Sequence, residues 1–298
     1  MMLLCVSDAL LQRDASCAAP LQAVLDGAGA VPVPDPLGRA AVWRFPVMQS
    51  ETVRELKTWA RAAGVSIAFF DRLPKWSDFS VLMTDMDHTL IDADVLRELA
   101  ELADRGEAYA EVLAALKAGT MSFETSLRER ALLLKGLPDT AIERVVSRLA
   151  FTPGIVSLVD EARRRGLRSY VLSSGIDDIA QPLSEMLCMT GAIANHLDIH
   201  EGHLTSDIKG PLGGPLLDAE GKCRQMTRIS KVLSTKGPAS ALCCGDSGND
   251  ALMLGAAGMG VSFFGSDSAV EAANVNINTG GFDWVLELLE LHERLPED

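Results

Sequence analysis

The sequence predicts an α/β fold: a Rossmann-like, doubly wound parallel sheet with a helical cap inserted after its first strand, preceded by a small N-terminal α/β unit. Three observations predict it. Four short runs, SVLMTD from Ser80, RSYVLSSG from Arg168, ALCCGDSG from Ala241 and GVSFFG from Gly260, are nearly all apolar until a polar or glycine-containing turn. Strands buried on both faces of a parallel sheet read this way. The runs alternate with helical stretches, as βαβ units require, and residues 94–149, between the first run and the second, are helical throughout.

The elements follow in chain order. Residues 1–78 mix breaks at Gly27, Gly29, Pro32, Pro34 and Pro36 with a strand over 41–45, a helix over 52–64 and a second strand over 65–70. The segment 71–78, DRLPKWSD, carries a proline and charges, which suits a linker into a larger unit spanning 79–298. The cap sequences VLRELAELAD, AYAEVLAALKAG, FETSLRERALLLKG and AIERVVSRLA each place apolar residues at helical spacing. A helical insertion at this point would sit over the strand ends as a lid.

Composition narrows the function. A net charge of −14 opposes long-range attraction to nucleic acid or anionic lipid. The six cysteines (Cys5, Cys17, Cys188, Cys223, Cys243 and Cys244) show no CxxC spacing, and a chain of 298 residues needs no disulfide framework, so a reducing cytoplasmic compartment is expected. The N-terminal residues lack the basic and long apolar regions of a signal peptide, and no stretch is long enough to span a bilayer.

The chemistry gathers where strands end. In VLMTDMDHTL, Asp85 and Asp87 are two residues apart, on one side of an extended backbone. Carboxylates that close imply a metal or a shared proton. One can act as nucleophile and form an acyl phosphate, while the other, with a raised pKa, acts as general acid and base. A capped turn before a helix would use the same residues. A second acidic strand end, CCGDSGND, supplies Asp246 and Asp250, oxygen donors suited to a hard cation. In YVLSSG, Ser173 follows the strand, and the backbone N–H groups of Ser174 and Gly175 could hold phosphate at a helix start, although ordinary helix capping explains them too. Lys222 stands near the start of a further helix, where a fixed cation would neutralise phosphate.

These four segments, in this order, resemble the four motifs of the haloacid dehalogenase superfamily. DMDHTL, FETSLRERALLLKGLP, TPG with Ser173 twenty residues after Pro153, GK, and GDSGNDALMLGAAGMGV are similar in detail to its phosphoserine phosphatase branch. The resemblance covers residues 81 to about 275. It implies Asp85 as nucleophile and Asp87 as general acid and base. It also implies Mg²⁺ held by the Asp85 carboxylate, the Asp87 carbonyl, Asp246 and, through water, Asp250, and phosphate bound by Ser173 and Lys222 with support from Asn249. Arg130 matches the arginine that takes the substrate carboxylate, a role suited to a guanidinium fork. The activity implied is hydrolysis of O-phospho-L-serine, in serine biosynthesis.

Several positions depart from the family pattern. Nine residues after Asp85 the family commonly has a glutamate that meets the substrate's amino group; here Asp94 stands there, shorter by a methylene and equally suited to cap the next helix. Ser174 replaces a glycine, Ile176 an aromatic residue and His88 a serine. These changes bear on the substrate and leave the phosphoryl chemistry intact, so another small phosphomonoester, or transfer of the phosphoryl group to an alcohol, is an alternative. An inactive sensor module is a third reading, opposed by the intact acids. The exposed face of residues 1–78 and the C-terminal helix WVLELLELHERL are the surfaces through which a homodimer could form, and that helix would more simply pack on the sheet.

Overall fold

A computed structural model describes residues 2–7, 15–27, 29–33, 35, 40–46 and 49–293. The breaks expected at Pro34 and Pro36, and the last residues of the C-terminal helix, Arg294 and Leu295, lie outside the described residues.

Eleven strands form one sheet: β1 (Met2–Ser7), β2 (Val31–Val33), β3 (Ala40–Phe45), β4 (Ile67–Phe70), β5 (Val81–Thr84), β6 (Arg168–Ile176), β7 (Gly191–His200), β8 (His203–Lys209), β9 (Ala241–Gly245), β10 (Met259–Phe263) and β11 (Val275–Ile277). Their spatial order is β2-β3-β1-β4-β11-β10-β9-β5-β6-β7-β8. From β11 to β7 every pairing is parallel. The four expected apolar runs are β5, β6, β9 and β10, and every residue of β5, β9 and β10 is buried. Their lack of polar alternation follows from cover on both faces.

The chain leaves β5 for β6 on one side and later returns to β9 on the other, so the strand order reverses at β5. A crevice opens beyond the carboxyl ends of the strands at such a reversal. The helices of the insertion, α3 (Val95–Leu102), α4 (Gly106–Lys117), α5 (Phe123–Leu133) and α6 (Thr140–Val146), follow β5 directly. Asp94 caps α3 by accepting the Arg97 N–H at 3.1 Å, and Ser122 caps α5 through the Thr125 N–H. The turn that returns the chain to the sheet requires Gly154, at φ +78°, because a Cβ there would lie 2.4 Å from the Asp283 nitrogen. The helix α7 (Ile155–Arg164) then leads into β6.

Residues 2–70 contribute α1 (Ala15–Gly27), α2 (Ser50–Ala63) and the first four strands. These strands do not make a sheet of their own: β4 pairs antiparallel with β11, so the sheet runs on without a break. Lys57 of α2 reinforces the join. Its buried Nζ donates to the carbonyls of Val270, Glu271 and Ala273, at 2.8, 2.9 and 2.6 Å, around the C-terminal end of α11 (Asp267–Ala272), where a cation is favoured. Burial holds its pKa down at about 8.

Sequence periodicity did not reveal the hairpin β7–β8. It pins the cap, with Leu204 donating its N–H to Leu137 O at 2.8 Å and Gly136 donating to Leu204 O at 2.9 Å. The C-terminal helix α12 (Asp283–Glu290) buries Trp284, Val285, Leu288 and Leu289, as its amphipathic pattern predicts. Among the described cysteine side chains none is in a disulfide. Among the described residues, no helix is long and apolar enough to cross a membrane.

Candidate active site

Three segments deliver the acids and the lysine to the carboxyl edge of the sheet. Asp85 follows β5 directly, with its N–H donated to Cys244 O of β9 at 2.9 Å, so both acidic strand ends share one register. Asp246 and Asp250 follow β9 and lead into α10 (Ala251–Ala256). Gly245 permits this turn, because a Cβ there would lie 2.5 Å from the Asp250 Cβ. Lys222 sits in the first turn of α9 (Ala219–Leu233), which Asp218 caps by accepting the Gly221 N–H at 2.7 Å.

Lys222 is 1% exposed, and its Nζ donates to Asp85 Oδ1 at 2.6 Å and to Asp250 Oδ1 at 2.8 Å. Burial disfavours the ammonium, but the two carboxylates outweigh it and raise the pKa, so Lys222 is a fixed cation. The other Asp250 oxygen accepts from the Ser247 N–H at 3.0 Å and the Ser247 hydroxyl at 2.9 Å. Asp246 Oδ1 accepts from Thr89 Oγ1 at 3.4 Å, and Asp87 Oδ1 from the Val95 N–H at 3.1 Å.

Burial and then the charge of Asp250 raise the pKa of Asp85 to about 6, against the pull of Lys222. Asp246 rises to about 8 through burial and the charges of Asp85 and Asp250. Asp87 is pushed well above the carboxylate range by burial, Asp94 and Asp85. Carboxylate oxygens of Asp85, Asp246 and Asp250 lie within 4.8 Å of one another. Crowded anionic oxygens of this kind fit a hard divalent cation. The Asp87 carboxylate is not in that group of three; it faces the cap.

Ser173 and Ser174 do not follow the strand as expected. They lie within β6, whose register against β7 shifts between Leu172 and Ile176. That irregularity releases backbone groups from the ladder at the strand end. The Ser173 hydroxyl accepts the Gly175 N–H at 3.0 Å, and α8 (Asp177–Met186) begins two residues further on. Ser174 does not project its side chain over this backbone: its hydroxyl donates to Leu217 O at 2.6 Å and accepts from Asn249 Nδ2 at 2.5 Å. The departure from glycine therefore ties Asn249 to the β6 end. Ile176 is fully buried in the main apolar core.

In the cap, Arg130 is half-buried, and no protein carboxylate pairs with it among the described residues. Its exposed neighbour Arg128 is the one engaged by Glu124, at 2.8 Å. Arg130 Nη1 lies 3.4 Å from the Tyr109 hydroxyl, which donates to Asp94 at 2.8 and 2.9 Å. Tyr109 was not singled out from sequence, where it reads as one more apolar position of a cap helix. His88, exposed and at φ +54°, lines a cavity of about 410 Å³ with Asp92, Asp246 and Phe264. Phe264, 56% exposed beside an acidic strand end, is a second residue that the apolar run concealed. A larger cavity of about 830 Å³, between α2 and α11, contains none of these acids.

Comparison with known proteins shows the family. The haloacid dehalogenase-like hydrolase family matches residues 82–255. A phosphoserine phosphatase of Archaeoglobus fulgidus is 30% identical over 246 residues, 81% of this chain and 69% of that protein. Other curated relatives are spanned over 54% to 98% of their own length. A HAD-family hydrolase of Salmonella enterica serovar Typhi has the same fold, with a TM-score of 0.82 over 97% of this chain and 99% of that one at 21% identity. A phospho-aspartyl intermediate analogue of a phosphoserine phosphatase matches 70% of this chain and 98% of its own, with a TM-score of 0.63 and 27% identity. The chain belongs to the haloacid dehalogenase-like hydrolase family.

Proposed function

We propose that this enzyme hydrolyses O-phospho-L-serine to L-serine and phosphate through a phosphorylated Asp85. The observation that carries the reading is the convergence of Asp85, Lys222 and Asp250 within hydrogen-bond distance, with Asp87 and Asp246 beside them, at the strand reversal.

An Asp85 pKa of about 6 leaves its carboxylate mostly ionised at neutral pH, and Lys222 fixes its orientation. A carboxylate oxygen of Asp85 attacks phosphorus, the bond from phosphorus to the seryl oxygen breaks, and Asp87, protonated by its raised pKa, gives its proton to that oxygen. Water then attacks phosphorus and gives a proton to the Asp87 carboxylate. The bond to Asp85 breaks and phosphate leaves. Lys222, Ser173 and the backbone at Ser174 and Gly175 bind the phosphate oxygens, and Asn249 holds Ser174 in place. Asp85, Asp246, Asp250 and the Asp87 carbonyl would hold Mg²⁺, which when bound screens the mutual repulsion of the anions and polarises the phosphoryl group. Arg130 takes the substrate carboxylate and Asp94 its ammonium.

Residues 1–78 are proposed as a small α/β unit with a regulatory role beside the phosphatase portion, 79–298, and the enzyme as cytoplasmic; a homodimer remains an expectation from sequence. The test is phosphate release with Mg²⁺ from phosphoserine, phosphothreonine, sugar phosphates and an aryl phosphate. Phosphoserine is expected to be the best substrate, and Asp85→Asn to abolish turnover of all of them. Preference for another ester would refute the substrate, and full activity of Asp85→Asn the mechanism.

A further inference from the structure

We infer that Tyr109 is a positioning residue for substrate recognition, one that adapts the cap to a short acidic residue and keeps its two recognition charges apart. The inference rests on the phosphoserine reading and deepens it. Tyr109 lies in α4 with its side chain fully buried, and its hydroxyl meets both oxygens of Asp94, at 2.8 and 2.9 Å. On the other side Arg130 Nη1 approaches the same hydroxyl at 3.4 Å, and the guanidinium carbon stands 5.9 Å from the ring centroid. A phenol has one proton to donate and lone pairs to accept with. Donation to Asp94 and acceptance from Arg130 use both capacities in one direction.

Asp94 and Arg130 carry opposite charges and make no direct ion pair, because the phenol oxygen stands between them. A direct pair would neutralise the anion meant for an ammonium and the cation meant for a carboxylate. Held apart, the two present a negative and a positive group side by side, the complement of an α-amino acid zwitterion. The phenol also orients the Asp94 carboxylate, which is already fixed from below by its cap bond to the Arg97 N–H at 3.1 Å. Asp94 is coupled to the chemistry as well, since the next residue, Val95, donates its N–H to Asp87. The ligand class this arrangement selects is a phosphoester carrying both a free ammonium and a free carboxylate.

The experiment compares wild type, Tyr109→Phe and Tyr109→Phe with Asp94→Glu on phosphoserine, on N-acetyl-phosphoserine and on an aryl phosphate, all with Mg²⁺. Tyr109→Phe is expected to raise KM for phosphoserine about tenfold, the scale of one hydrogen bond to a charged group, with a much smaller change in kcat. Its effect on N-acetyl-phosphoserine and on the aryl phosphate should be far smaller. Adding Asp94→Glu should restore most of the phosphoserine KM, because the longer side chain supplies the missing reach. Equal losses on all three substrates would show a structural role and overturn the inference. So would an unchanged phosphoserine KM, or a KM rise that Asp94→Glu does not reverse. A wild type active on aryl phosphate and inactive on phosphoserine would overturn the functional reading, and this inference with it.

Discussion

Replacing Lys222 by methionine keeps the length of the side chain and removes the charge that Asp85 and Asp250 share. In the folded protein the lysine pKa is raised above its ordinary value of 10.5, so its stabilising effect is present in full at pH 7 and is lost only above that value. Without it, two buried carboxylates, one wholly and one nearly closed to solvent, have no cation paired with them among the described residues when Mg²⁺ is absent. Breaking a buried pair in this way costs about 3–5 kcal/mol. Proton uptake sets a limit on the cost. Protonating one carboxylate at pH 7 from an ordinary pKa of 3.8 takes about 4 kcal/mol, at about 1.4 kcal/mol per unit. The two routes agree, and the second adds a sign: the deficit should shrink by about 1 kcal/mol between pH 7 and pH 6 and change little below the wild-type Asp85 pKa of about 6, where wild type takes up the same proton. Urea unfolding followed by circular dichroism in EDTA, at pH 7 and pH 6, measures both quantities. Excess Mg²⁺ should reduce the deficit, because the ion replaces the missing positive charge. Equal stability of variant and wild type in EDTA at pH 7, or a deficit indifferent to pH, would refute the reasoning.

Arg130→Ala should lower kcat/KM for phosphoserine about a hundredfold, the range for removing one partner of a desolvated charge pair, and lower it far less for an aryl phosphate; equal losses in steady-state assays would remove Arg130 from recognition. Asp78 holds the entry to β5: its carboxylate receives both Arg72 Nη groups, at 2.8 and 2.7 Å, and the Lys75 N–H at 2.9 Å. The Arg72 hydrogen bond first, then the Lys75 amide and the nearby charges, lower its pKa to about 2 against the opposing effect of burial. A depressed pKa stabilises above the unfolded value of 3.8 and loses that effect as pH falls toward 2. Because Arg72 is 65% exposed, screening cuts the contribution to about 1 kcal/mol. Asp78→Asn should therefore be less stable than wild type at pH 6, with the denaturation curves converging as pH approaches 2. A gap that persists in acid would show that packing, and not charge, is lost.

The sheet core was legible because its strands are buried on both faces, which makes an apolar run the physical signature of β5, β9 and β10. The motif acids were legible because parallel strands deliver their next residues to a common edge. What escaped was set by partners distant in the chain. Nothing in YVLSSG tells that the Ser174 hydroxyl turns to Leu217 and Asn249, since both partners come from later segments folded against β6. Tyr109 looked apolar because only its ring contributes to periodicity, whereas its function lies in the hydroxyl aimed at Asp94. The β7–β8 hairpin was hidden for a related reason: β7 mixes buried and exposed residues without strict alternation, because it pairs in parallel with β6 over its first half and with β8 over its second.

The strands of residues 2–70 have a mechanical consequence for the site. By pairing with β11, β4 covers an edge that would otherwise present unpaired backbone groups. In the sheet so extended, β9 and β5 lie in the interior, with at least three strands on either side. The carboxylates of Asp85 and Asp246 leave the ends of these interior strands, so their separation is held by a ladder that cannot shift without disturbing strands in both directions. Arg130, Tyr109 and Asp94 belong instead to the cap or to its first hinge, tied to the sheet by the β7–β8 hairpin and by the Val95 N–H bond to Asp87. A rigid sheet edge for phosphate and a cap for the rest of the substrate divide the labour: the sheet fixes the chemistry, and the cap selects the substrate.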